Sequence, residues 1–152
     1  MVPPQLHIPC IHRLCATADS EAPFLCAKTA INRFRVTADT QKRRWGDKGF
    51  AVFVVNLCIG RDRNSSAVEC VAQAPETISG DLLVSLCRGA ESVAPALCAA
   101  EASRSSHRLS PDEIVELCKD APSPAPAACL DEIPHHLRDM KLRIQLCRFL
   151  RK

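Results

Sequence analysis

Aromatic residues and glycine are scarce in this chain of 152 residues, which contains one Trp, no Tyr and five Gly. The few glycines do not form a phosphate-binding loop or a dinucleotide-binding fingerprint. The short motifs of α/β-hydrolases, zinc proteases and EF-hands are missing as well. So few aromatic rings argue against a platform that stacks single-stranded nucleic acid. We therefore expect no enzyme, no catalytic residue, no cofactor and no metal site.

Long apolar runs and a secretory leader are also missing. The longest apolar run, 50–58, is interrupted by Asn56 and is far shorter than the roughly 20 residues that a membrane span needs. The residues after Met1 show no basic stretch followed by an apolar one, so no signal peptide is predicted there. We expect a cytoplasmic protein if Met1 is the natural start, and an extracellular one if the chain is part of a longer protein.

The charge is small but unevenly distributed. The net charge is +3, yet segment 33–48 carries +4 and segment 137–152 carries +5, so the rest of the chain carries −6. Lys42, Arg43, Arg44 and Lys48 form a candidate basic patch. We interpret it as a solvated surface loop rather than a nucleic-acid site. Peripheral membrane contact by 137–152 is not favoured either, and a protein is the expected partner.

Cysteine is abundant, with 10 residues, and nine of the ten follow an internal repeat. A Leu-Cys pair recurs five times, ending at Cys15, Cys58, Cys87, Cys118 and Cys147. A second Cys follows the first after 11 or 12 residues in four of these copies. A Ser or Asn stands six residues before that second Cys, and a Pro stands three before it in three copies. A period of about 30 residues indicates a supersecondary unit that stacks on its neighbours.

Each unit is predicted to contain two short helices. Ser110 begins a capping box with Pro111 at the first helical position and Glu113 three residues after the Ser, which is typical of a helix start. Ile114, Leu117, Cys118 and Ala121 then form one apolar stripe at helical spacing. The recurring Ser is predicted to be the N-cap of the second helix. Both cysteines of a unit are therefore expected to face the core.

The repeated cysteines are either disulfides or buried thiols. The simplest pairing is within units, where each bond would link the two helices of one hairpin and contribute roughly 2–3 kcal/mol. As thiols they would be small core residues. Zinc binding is disfavoured because no Cys-x-x-Cys occurs. The candidate residues, grouped in these within-unit pairs, are Cys15 and Cys26, Cys58 and Cys70, Cys87 and Cys98, and Cys118 and Cys129.

The sequence as a whole predicts an all-α protein of short helical hairpins, stacked as a small solenoid or an irregular bundle. One domain, 1–152, would contain units near 8–32, 50–76, 79–104 and 110–134, a basic insertion at 33–48 and a terminal half unit at 137–152. The expected function is a non-enzymatic repeat scaffold that binds proteins. The alternative is a secreted, disulfide-stapled, cysteine-rich module, which the sequon Asn64-Ser65-Ser66 weakly favours.

Overall fold

A computed structural model describes residues 16, 21–34, 36–59, 66–134 and 136–149. Within these ranges the chain is all-helical and contains no strand, which confirms the predicted fold class. No helix in them is long and apolar enough to span a membrane. The helices are α1 (Ala22–Arg33), α2 (Ala38–Trp45), α3 (Gly49–Cys58), α4 (Ser66–Gln73), α5 (Gly80–Cys87), α6 (Ala94–Ala102), α7 (Pro111–Cys118), α8 (Ala125–Glu132) and α9 (Met140–Phe149).

The first helix of the fourth unit begins as its sequence predicts. The Ser110 hydroxyl accepts a hydrogen bond from the Glu113 backbone N–H, and the Glu113 carboxylate accepts one from the Ser110 N–H. Two of the backbone donors that a helix start leaves open are thus satisfied by side chains. Pro111, which has no N–H, occupies the first helical position at no cost.

Contrary to the prediction from the sequence, Ser92 and Ser123 are not the N-caps of the second helices; each stands one residue before the N-cap. Helix α6 begins at Ala94 with Val93 as its N-cap, and the Ser92 hydroxyl accepts a hydrogen bond from the Ala94 N–H. Ser123 does the same for Ala125 at the start of α8. The following Pro in each helix has no N–H to offer, so the serine satisfies the donor before it.

The predicted apolar stripes form the core. Ile114, Leu117, Cys118 and Ala121 are all buried. The equivalent residues of the preceding unit, Leu83, Leu86, Cys87 and Ala90, are buried as well. The 3.6-residue spacing therefore identified the core face of these first helices correctly.

Helices of equivalent position contact one another in succession. The first helices of the units follow the order α3, α5, α7 and α9, and each contacts the next. The second helices α1, α4, α6 and α8 do the same. Each second helix also contacts the first helix of the following unit: α1 contacts α3, α4 contacts α5, α6 contacts α7 and α8 contacts α9. The stacking of whole units into a solenoid, and the single-domain boundaries, stay predictions.

The basic insertion is a helix where the sequence predicted a solvated loop. Helix α2 lies within it, contacts α3 and α5, and ends at Trp45, which is only 5% exposed. Just beyond α2, Gly46 (φ +82°) meets Gly80 (φ +54°) at the start of α5. A Cβ on Gly46 would lie 3.1 Å from the Gly80 Cα. Two glycines thus allow the insertion to approach the third unit closely.

Candidate functional site

Arg44 anchors the insertion to the end of α4. Its guanidinium donates four hydrogen bonds to backbone carbonyl oxygens, with N···O distances between 2.8 and 2.9 Å. The acceptors are Val71, Ala74, Pro75 and Ile78. The five N–H donors of an arginine form a planar fork, and this fork is directed at one helix end rather than at solvent.

The α4 end needs such a donor because of Pro75. In a continuing helix the N–H of residue 75 would bond to the Val71 carbonyl, but proline has no N–H. The Arg44 Nη2 supplies that missing bond at 2.8 Å. Burial lowers the pKa of Arg44 because it removes water from the cation, and the Glu76 carboxylate acts in the opposite direction. Arg44 is therefore a structural cation and does not belong to a free basic surface.

Aromatic rings hold the insertion from its other side. Trp45 packs against Phe50 with ring centroids 5.0 Å apart and against Phe53 at 4.8 Å. Phe34, just after α1, lies 5.1 Å from Trp45. The pairs are tilted or edge-on, which are geometries that aromatic quadrupoles favour. Four of the six aromatic residues of the chain thus meet at one place.

A cleft of about 390 Å³ opens between α2 and α4. Phe34, Trp45 and Val71 give it an apolar lining, and Arg43 and Glu76 bring opposite charges to it. Its size is within the range of small-ligand pockets. Sequence reasoning missed Glu76 and Val71, because no pattern in the chain connects residues 43–45 with residues 71–76.

The four residues of the candidate basic patch have different surroundings. Arg43 is exposed beside the cleft, and Arg44 is bonded to α4. The Lys48 ammonium lies 3.6 Å from the Asp81 carboxylate, and both side chains are largely exposed, so this pair contributes little to stability. The side chain of Lys42 lies outside the described part of the structure. The described residues therefore do not group these cations on one free surface.

Disulfide bonds join each unit to the next one. The four bonds are Cys26–Cys58, Cys70–Cys87, Cys98–Cys118 and Cys129–Cys147. Their Cα–Cα distances lie between 5.5 and 5.7 Å, as disulfide geometry requires. Cys147, which has no second Cys after it in its own unit, bonds to the second Cys of the preceding unit. Cys10 and Cys15 lie outside the described residues.

The predicted pairing within units is wrong. It assumed that a hairpin brings its own two cysteines together, since they are near in sequence. In the structure, the second helix of one unit instead presents its cysteine to the first helix of the next unit. Sequence distance alone favours the shorter loop, but the facing of the helices decides which sulfur atoms meet.

A second polar cluster lies between the loop before α7 and the last helix. Arg143 of α9 is only 4% exposed. One of its guanidinium nitrogens lies 3.2 Å from His107 Nδ1, and the other donates to the Pro134 carbonyl at 2.9 Å. Because arginine can only donate, His107 Nδ1 is the acceptor in this contact. His107 Nε2 lies 3.8 Å from Asp131 Oδ1.

Alignment of the repeats could have identified Arg143 as a charged residue at a core position. It stands four residues before Cys147, where the earlier units have Val54, Leu83 and Ile114 in the core. A cation in an apolar repeat position requires buried acceptors, and His107 and Pro134 provide them. The Ser105 hydroxyl donates a hydrogen bond to Asp131 Oδ1 at 2.7 Å and so adds a further polar contact to the cluster.

The described residues contain no group of three or more side chains that could hold a metal ion. The sequon at Asn64 lies outside them. Comparisons with protein families, with curated proteins and with solved structures found no match for this chain.

Proposed function

We propose that the chain is a non-enzymatic, disulfide-stapled helical module that acts outside the cell and binds a protein partner. The observation that carries the proposal is the set of four disulfides, one at each described junction between successive units. Structural disulfides persist in oxidising compartments and are rare in the cytosol. The bonds therefore favour the secreted alternative over a cytoplasmic scaffold.

The lengths of the helices explain what the disulfides contribute. Most of the helices have only 8 to 10 residues, and helices of this length are marginal in water without tertiary support. Each bond closes a loop of 17 to 32 residues, for which chain entropy gives about 3–4 kcal/mol. Four such bonds can stabilise an array whose second helices contribute mainly alanine and proline to the core.

The successive contacts in the two helix series support the scaffold part of the proposal. If the first helices and the second helices form two continuous rows, units add along one direction and leave extended surfaces for a partner. The cleft beside α2 and the outer face of α9 are two places where such a surface departs from the regular pattern. Nothing in the site chemistry favours a reaction over binding.

The direct test is disulfide mapping of the full chain, secreted from a eukaryotic host and alkylated without reduction. We expect cross-linked peptides that contain Cys70 with Cys87 and Cys98 with Cys118. We also expect a large drop in melting temperature when reductant is added. Free thiols at these four positions, or links within units, would contradict the proposal.

A further inference from the structure

The four disulfides differ in how far they are buried. Seven of the eight cysteines that form them are at most 3% exposed, so three of the bonds are buried at both ends. Cys129 on α8 is the exception, because it is only partly buried. Its partner Cys147 on α9 is 1% exposed. Among the bonds that the structure describes, Cys129–Cys147 is thus the one least shielded from solvent.

The length of the closed loop does not separate this bond from its neighbours. Cys129 and Cys147 are 18 residues apart, against 17 for Cys70–Cys87 and 20 for Cys98–Cys118. Chain entropy therefore gives these three bonds nearly the same contribution. The rate of thiol–disulfide exchange depends on which sulfur an attacking thiolate can reach, and in this respect the three bonds differ.

Among its described side chains, helix α9 buries fewer apolar ones than α5 and α7 do. Ile144 is the one buried aliphatic side chain of α9 in this set, and Met140 is partly buried. Besides their cysteines, α5 and α7 each bury three aliphatic side chains, which are Leu83, Val84 and Leu86 in α5 and Ile114, Val115 and Leu117 in α7. The attachment of α9 therefore depends on its disulfide more than that of α5 or α7 does.

The other buried side chain of α9 is a cation. Arg143 is 4% exposed and donates hydrogen bonds to the Pro134 carbonyl and to His107 Nδ1. Its Nε has no hydrogen-bond partner among the described residues. A cation loses its hydration on burial, and these contacts offset only part of that loss. Release of α9 returns the guanidinium to water, so Arg143 does little to retain the helix once the bond is open.

We propose that Cys129–Cys147 is a redox-sensitive bond, which a dithiol reductant opens before the other three and whose opening separates α9 from α7 and α8. The surface of α7 and α8 that α9 covers then becomes accessible under reducing conditions, while the rest of the module stays folded. This inference goes beyond the proposed function, because it concerns the regulation of the module.

The step is a thiol–disulfide exchange in two stages. A thiolate of the dithiol attacks the Cys129 sulfur, the Cys129–Cys147 bond breaks, and Cys147 leaves as a thiolate that takes a proton from water. The second thiolate of the reductant attacks the mixed disulfide, which closes the reductant's own disulfide and releases Cys129 as a thiolate that is protonated in turn. Two electrons and two protons thus pass from the dithiol to the two cysteines.

The test is a time course of reduction of the full chain, after its four bonds have been mapped without reductant. Dithiothreitol at a fixed low concentration is the probe, and mass spectrometry after alkylation gives the free fraction of each cysteine. We expect Cys129 and Cys147 to become free together, with a half-time at least about tenfold shorter than that of Cys98 and Cys118. Cys98–Cys118 is the matched control, since its loop is of similar length and both its cysteines are 0% exposed. Simultaneous opening of all four bonds, or earlier opening of another, would overturn the proposal.

Release of α9 is measured by amide hydrogen exchange, on the partly reduced chain and on the variant Cys129→Ser/Cys147→Ser. We expect fast exchange at 140–149 and retained protection at 111–118 in both samples. The matched variant Cys98→Ser/Cys118→Ser should instead lose protection at 111–118. Unchanged protection of α9 in the partly reduced chain, or fast exchange throughout it, would overturn the proposal even if the variant does not fold. These outcomes reject the redox-sensitive bond alone, whereas a map without the four bonds would contradict the proposed function.

Discussion

The insertion and the regular units that follow it are held in place by different chemistry. The insertion relies on three rings packed around Trp45, one arginine at a helix end and one pair of touching glycines. Residues 66–134 contain no Phe, Tyr or Trp, and disulfides and aliphatic side chains hold the units there. A repeat can therefore include an inserted segment if the side chains of that segment supply their own packing contacts and hydrogen bonds.

The disulfides show how little the insertion disturbs the repeat. Cys26–Cys58 closes a loop of 32 residues across the insertion, whereas the other three bonds close loops of 17 to 20. The Cα–Cα distance across the insertion is nevertheless 5.7 Å, against 5.5 to 5.6 Å elsewhere. The insertion therefore extends the chain between α1 and α3 while the two helices still approach closely enough for a disulfide.

The largest effect is expected in the regular part, at Ile114. Changing Ile114 to Asp would bury an unpaired carboxylate in a site that is 3% exposed. We expect a loss of more than about 4 kcal/mol in the free energy of unfolding, measured by urea denaturation. Glu116→Ala, two residues away and off the core face, should change it by about 0.5 kcal/mol or less. Similar losses at both sites would show that the stripe does not face the core.

Removal of one disulfide should lower the free energy of unfolding by somewhat less than Ile114→Asp does. The double variant Cys98→Ala/Cys118→Ala should lower stability by about 3 kcal/mol and expose no new thiol. Cys87→Ala/Cys98→Ala is the matched control, because it removes one cysteine from each of two bonds and should leave two new thiols. Thiol counting by alkylation and mass spectrometry separates the two variants. Two new thiols in Cys98→Ala/Cys118→Ala and none in Cys87→Ala/Cys98→Ala would instead support pairing within units.

Within the insertion, Arg44 is expected to matter most among the charged residues. Arg44→Met keeps the aliphatic stem but leaves the carbonyls at the end of α4 without their donor. We expect a loss of about 2–3 kcal/mol and faster amide exchange at that helix end. Arg44→Lys should recover only part of the loss, because an ammonium cannot match the planar fork. If Lys were equivalent to Arg, the four directed hydrogen bonds would not be the cause.

The smallest expected effect is the difference in stability between two glycine variants, which separates the cost of a positive φ from the cost of a close backbone contact. Gly46 and Gly89 both have positive φ, but of the two only Gly46 has another backbone segment within 4 Å of the place where a Cβ would lie. Gly89→Ala should therefore cost about 1 kcal/mol from strain alone. Gly46→Ala should cost about 1–2 kcal/mol more, since it also pushes α2 away from α5. Equal melting temperatures for the two variants would argue against the close approach.

Much of the regular part could be predicted from the sequence, and little of the insertion could. The stripe from Ile114 to Ala121 and the Ser110 cap are local patterns, and local patterns report helix starts and core faces directly. The basic run at 42–44 has no such pattern. That this run forms a helix packed against its neighbours, and not the expected loop, depends on Phe50, Phe53 and the carbonyls near Pro75, which lie in other elements.

By itself, the sequence determined the helical class and the core-facing residues of α5 and α7. Both follow from hydrogen bonds and side-chain spacing within a few residues. The tertiary structure alone decided that Cys98 bonds to Cys118 rather than to Cys87, and that Arg44 and Arg143 point inward. These outcomes depend on which helices are neighbours in space. The residue spacing within one unit does not contain that information, so it cannot identify the partner of a repeated cysteine.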